Sequence, residues 1–207
     1  MLSGLMDMDV KAPSGLTPTT WNPSDKSAGI TLSGGNLVAT NSNGTGIDGV
    51  RSVDSTTGKV YFEIVWTVYL VTAGGGAMQI GIGNSSAVLT TTLLGQTTAA
   101  GYRDDSLALY NFGPNAVGSM NTGLNDNIGV AVDVPNKKMW FRKNGGTWDV
   151  TGGDDPATNV GGLNFTGITG AIFAITNSNA FSYASTAKFD SASWTYIAPA
   201  GFGVLGH

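Results

Sequence analysis

The chain has no cysteine, a single glutamate and a single histidine among its 207 residues. Each shortage removes a class of function. Without cysteine there are no disulfides and no thiolate metal sites, although cysteine-free chains occur in every compartment. The only histidine is His207, the final residue. A Ser-His-Asp or Cys-His nucleophile, or a histidine-rich zinc or iron centre, needs a positioned imidazole that this sequence does not offer. Glycoside hydrolysis needs two carboxylates flanking the scissile bond, most often Glu. The one Glu is Glu63, inside the strand-like GKVYFEI, where a structural role beside the core is expected. The pairs Asp104-Asp105 and Asp154-Asp155 point apart on an extended segment and read as turn residues. A calcium site built from those four lacks a recognised loop spacing. No enzymatic activity and no cofactor are expected.

Charge is scarce as well, with 12% charged residues and a net charge of -4. The ten basic residues form no stripe able to follow a phosphate backbone, so nucleic-acid binding is not expected. Their densest cluster, Lys137-Lys138 with Arg142-Lys143, reads as a solvated hairpin with gatekeeping charges, because strand alternation sends neighbours to opposite faces. No apolar run approaches the roughly 20 residues that span a bilayer, so membrane insertion is not expected. The opening MLSGLMDMDVKAP has two Asp and no leading cationic region, and it does not read as a signal peptide.

What is present is glycine, 31 residues of it, with abundant Ser, Thr and Asn. Such a composition favours strands joined by tight turns over helices. The length suits one sizeable β-sandwich better than two small domains. Ile128, Val130, Val132 and Val134 alternate with small or polar residues, Pro135-Asn136-Lys137 interrupts them, and Met139 and Phe141 resume before Asn144-Gly145-Gly146. That pattern is a β-hairpin. Further strands are expected at Gly29 to Leu32, Asn36 to Thr40, Gly49 to Ser52, Ala77 to Gly83, Ser106 to Asn111, Ala171 to Thr176 and Phe181 to Phe189, with a closing strand near Ser193 to Tyr196. Lys59 to Val71 reads as a central strand buried on both faces. Asn84 to Gly101, rich in Ser and Thr, reads as a loop or short helical turn.

These blocks resemble a SPRY (B30.2-like) domain, in particular the type found in bacteriophage structural proteins. The resemblance is carried by TWNPSDKSAGITLSGGNLVAT at Thr20 to Thr40, GKVYFEI, QIGIG at Gln79 to Gly83, GVAVDVPNKKMWFRKNG and DPATNVGG at Asp155 to Gly162, with a terminal PxGF-like segment ending at Phe202. It implies an all-β fold, a bent antiparallel β-sandwich of the concanavalin A-like jelly-roll kind, over residues 20–203. Residues 1–19 would then be an extended arm and residues 204–207 a short tail. The resemblance further implies a virion protein, made in the host cytoplasm and homo-oligomeric in the particle, whose sandwich binds through loops. Two roles stay open: a tail fibre or spike component recognising a host-surface glycan or protein, or a capsid decoration or head-fibre protein whose contacts are with other virion proteins. Leu2, Leu5, Met6, Met8 and Val10 of the arm are candidate assembly contacts, or a cover for the base of their own sandwich. The candidate binding residues are Tyr102, Arg103, Asp104 and Asp105 in one loop, Trp148 after the hairpin, and Asn177, Ser178 and Asn179 in another. Tyr and Trp offer flat faces, and Asn, Asp and Arg offer polar groups. Trp148 equally fits a core plug at a strand end.

Overall fold

The computed structural model describes residues 17–42, 46–69, 77–93, 96–104, 108–110, 116–118, 120–150, 152–179 and 182–206. The arm residues Leu2, Leu5, Met6, Met8 and Val10, together with Asp105, lie outside the described residues. The strands are β1 (Trp21–Lys26), β2 (Ile30–Ser33), β3 (Val38–Asn41), β4 (Ile47–Thr56), β5 (Lys59–Tyr69), β6 (Ala77–Gly83) and β7 (Ala99–Arg103). They continue as β8 (Ala108–Tyr110), β9 (Ala116–Gly118), β10 (Asn127–Asp133), β11 (Lys138–Lys143), β12 (Leu163–Asn164), β13 (Ile172–Asn179) and β14 (Tyr183–Lys188). Only two short 3₁₀ turns, Trp148–Val150 and Pro156–Thr158, are helical among the described residues.

Two antiparallel seven-stranded sheets result. The first has the order β1-β4-β13-β6-β7-β8-β9 and the second β12-β11-β10-β5-β14-β3-β2. Their inner faces share one core, in which Phe62, Ile64 and Trp66 of β5 and Ile128, Val130 and Val132 of β10 meet Met78, Ile80 and Ile82 of β6. The alternation in the sequence is thus read out as an inward face. Trp21 stands edge-on to Phe189 at 5.0 Å within this core.

The hairpin forms as expected, with β10 and β11 paired from Ile128 opposite Lys143 to Asp133 opposite Lys138. Its turn is tied by Asp133, whose carboxylate accepts from Asn136 N–H and Nδ2 and faces Lys59 Nζ at 2.9 Å. Burial opposes ionisation of Asp133, but the hydrogen bonds of Asn136 and Lys59 outweigh it and hold the carboxyl below its ordinary value. Strand β5 is buried on both faces from Val60 to Ile64, while Thr67 and Val68 are exposed.

Several expectations are corrected. β13 runs on to Asn179, so Asn177 and Ser178 lie in a strand and not in a loop. The stretch read as loop to Gly101 ends in strand β7 from Ala99, and β1, β9 and β12 were not expected, the last two carrying too few residues for an alternation to register. No strand forms at residues 193–196, where the N–H groups of Thr195 and Tyr196 turn to a carboxylate in place of a neighbouring strand. Val204 and Leu205, expected in a tail outside the sandwich, are buried, and Leu205 belongs to the main core. Thr19 N–H donates to Leu205 O at 2.8 Å, and Pro18 bridges to Gly206.

Candidate functional site

The outer face of the second sheet is covered by the segment that follows β14. Its organising row is Glu63 on β5, Gly129 on β10 and Arg142 on β11, which stand opposite one another in register. A methyl group at Gly129 would lie 2.7 Å from the Tyr61 hydroxyl and 3.2 Å from Arg142 Cγ. Glycine is therefore what lets the Tyr61 ring lean across β10. There its hydroxyl donates to Glu63 Oε1 at 2.9 Å and accepts from Arg142 Nη2 at 3.1 Å.

Glu63 is fully buried and collects four hydrogen bonds. Besides Tyr61 these come from Asn127 Nδ2 at 2.6 Å, Thr195 N–H at 2.9 Å and Tyr196 N–H at 2.8 Å. Lys188 Nζ is 3.7 Å away and also donates to Thr195 Oγ1. Burial alone would raise the Glu63 pKa, but these donors more than compensate and hold it below the ordinary value. The neighbouring Tyr61 hydroxyl moves the other way, pushed up chiefly by burial although Arg142 opposes the shift.

Over this pin the cover packs as a small aromatic core. Tyr61 meets Trp194 edge-on at 5.0 Å, and Trp140 meets Phe202 edge-on at 6.3 Å. At the rim, the Arg142 guanidinium lies 4.4 Å from the Trp148 ring centre, 5.4 Å from that of Tyr61 and 5.9 Å from that of Tyr196. Arg142 Nη2 also donates to Ile197 O at 2.6 Å, while the Ile197 side chain is 91% exposed. Trp148 is half-buried, edge-on to Tyr61 at 6.3 Å, with one face given to the arginine.

The segment from Trp148 to Gly162 is shaped by its acidic residues. Asp149, held at φ 47°, is buried and accepts Phe141 N–H at 2.8 Å. Burial pushes its carboxyl up to about 8, against the Phe141 bond and reinforced by the Asp154 carboxylate. Asp155 caps the second 3₁₀ turn by accepting from Ala157 N–H and Thr158 Oγ1. The closing Gly162 has φ 84°, and a Cβ there would come within 2.5 Å of Trp140, whose Nε1–H reaches Val160 O. These contacts explain why DPATNVGG takes the residues it does.

The residues expected to form binding loops are dispersed. Tyr102 is in β7, fully buried in the core, with its hydroxyl 2.9 Å from Thr122 Oγ1. Asp104 is buried and accepts Met78 N–H at 2.6 Å. Arg103 ends β7, opposite Gln79, which in turn stands opposite Asn177. Arg103 and Asn177 therefore share the outer face of the first sheet. There Gln79 Oε1 accepts Leu93 N–H and Asn177 Nδ2 donates to Thr91 O, so segment 91–93 covers the amides. The loop placement fails because alternation in β7 and β13 continues through polar residues, which composition alone reads as loop. Asn179 ends β13.

Trp148 is the candidate that reaches the rim, and Arg142, Tyr196 and Ile197 are the partners that sequence reading passed over. The one signal was that Arg142 is an arginine beside lysines. Lys137, Lys138 and Lys143 each donate to a backbone carbonyl and Lys137 also lies over the Phe165 ring, whereas Arg142 lies against three aromatic rings at once. Among the described residues no group of three or more His, Cys, Asp or Glu is placed to hold a metal ion.

No family model matches the chain, and no curated protein matches it. Solved structures do. The SPRY domain of human HERC1 superposes with a TM-score of 0.62 at 15% identity, over 81% of this chain and 96% of that one. A human SPRY domain gives 0.52 at 16% identity, over 77% and 94%. Stonustoxin gives 0.56 at 18% identity, over 83% of this chain but 27% of its own. At these identities the likeness concerns the fold, and the fold of this chain is that of a SPRY domain.

Proposed function

We propose that the protein is a non-enzymatic binding module of a bacteriophage virion, a tail fibre or spike component that recognises a host-surface protein or glycan. The observation that carries the binding role is the rim of the covered sheet, where Trp148 and Tyr196 pack around the Arg142 guanidinium and Ile197 projects into solvent. Arg, Trp and Tyr are the residue types that dominate binding energy at interfaces, and here Trp148 and Tyr196 are held against Arg142 of strand β11. The SPRY fold supports a role in binding by analogy of architecture, and the sequence blocks similar to phage structural proteins supply the setting. The state of two carboxyls among the described residues supports the non-enzymatic reading. The Asp149 carboxyl is buried, and Glu63 is committed to four donors.

Gold-tagged antibodies against the chain, viewed by electron microscopy on purified particles, test the setting. Label at the tail tip or fibres is expected. Label over the head replaces host recognition by capsid decoration, and unlabelled particles remove the virion assignment. Blocking of adsorption by the purified protein tests recognition itself.

A further inference from the structure

Two arginines clamp the two outer covers, and only one of them is neutralised. Arg51, on the outer face of the first sheet, lies 3.1 Å from Asp25 Oδ2 and donates to Asn84 O at 2.8 Å and Ala87 O at 2.9 Å. Arg142, on the outer face of the second sheet, donates to Tyr61 and Ile197 O through Nη2, and no described carboxylate stands within ion-pair distance of it. Its Nε is buried without an acceptor, while Nη1 makes no hydrogen bond among the described residues and is not buried. A guanidinium has five N–H groups, and held against three rings it cannot swing away to find water as a free side chain would. The group left to bind is Nη1, and an anionic oxygen such as a carboxylate would form the strongest, charge-assisted hydrogen bond there.

The neighbouring surface narrows the class further. Ile197 is 91% exposed, whereas the other exposed large apolar side chains among the described residues reach only 40% to 54%. A saccharide would leave that apolar side chain unburied. A peptide with an apolar residue next to its acid would cover it. We infer that the Arg142, Trp148, Tyr196 and Ile197 rim binds a protein segment presenting an Asp or Glu carboxylate beside an apolar side chain. This rests on the reading of the rim as a recognition surface.

The test uses the full chain to select from a displayed library of random twelve-residue peptides, followed by affinity measurement on the enriched sequences. Enrichment of Asp or Glu flanked by apolar residues is expected. Arg142→Gln should weaken those peptides at least tenfold, Arg142→Lys should lose less, and Ile197→Asp should weaken them severalfold. Because Ile197 is in solvent, the last variant leaves folding intact even if Arg142→Gln does not. Enriched peptides without acidic residues, or indifferent to both substitutions, would overturn the carboxylate inference while keeping the module as a protein binder. Binding of uronic-acid oligosaccharides at this rim with no peptide enriched would overturn the peptide class. Failure of every probe at the rim would overturn the inference, whereas failure of the virion setting would show only in the particle labelling.

Discussion

The two outer sheet faces solve the same problem with different chemistry. Each sheet buries one face in the shared core, and each then has its other face covered by an irregular segment. On the first sheet the cover is residues 84–93, whose Ala87, Leu89 and Leu93 pack on Ala99 and Ile175 of the sheet and which is tied by amides and Arg51. On the second it is residues 190–203, set on aromatic rings and tied by the Glu63 carboxylate, by Arg142 to Ile197 O and by backbone bonds at Gly203, with Glu63 gathering the most donors. A set of bonds distributed over several side chains tolerates the loss of any one. A single ionised acceptor does not, because each of its donors is stranded at once. The covers also differ in what they leave over: Arg51 is matched by Asp25, while Arg142 is not matched among the described residues.

That contrast breaks most severely at Glu63. Glu63→Ala is expected to cost about 3–5 kcal/mol in urea unfolding, the range seen when a buried charged network loses a member. Trypsin should then cleave after Lys188 in the otherwise folded protein, since the segment beyond it loses its anchor. An unchanged midpoint would show that the aromatic contacts alone hold the cover. Gly129→Ala follows, at about 1–3 kcal/mol, because the new methyl meets the Tyr61 hydroxyl at 2.7 Å. A second substitution, Tyr61→Phe, should recover part of that loss if the clash is the cause.

Acidity separates the pieces differently. The Asp149 pKa rises from 3.8 to about 8 on folding, so the folded chain keeps a proton that the unfolded chain has released. Its contribution to stability is complete below the unfolded value and is lost as pH rises towards the folded one. Glu63 has the opposite sign, its contribution being present above the ordinary Glu value and lost as pH falls through the lowered one. Asp149→Asn, which keeps an acceptor for Phe141 N–H, should flatten the decline between pH 4 and 8 in thermal melts and leave the acid limb untouched. On the first sheet, Asn177→Ala should cost only about 1 kcal/mol, the size of one neutral hydrogen bond. Smallest of all, Ile197→Ser should shift stability by no more than about 0.5 kcal/mol, as expected of a solvent-facing residue.

The hairpin, the strand at Ala77–Gly83 and the two-sided burial of Lys59 onward were legible because inward residues repeat with period two between turn residues. Asn177 and Arg103 were misread as loop because a covered outer face turns polar side chains into strand residues, and composition cannot see the cover. The rim was illegible for a related reason. Arg142 and Trp148 are close in sequence, but Tyr196 and Ile197 lie far along the chain and meet them only where residues 190–203 cross the second sheet.

The sequence alone sufficed for the class of the fold and for where many of its strands lie along the chain, because alternation and turn chemistry are local properties of the chain. Tertiary structure decided which faces are covered, why the only glutamate sits where it does, and which arginine keeps its charge available. Those are long-range matters of register: Glu63, Gly129 and Arg142 become neighbours only when three strands align, and Thr195 and Tyr196 reach them only after the last strand has been laid down.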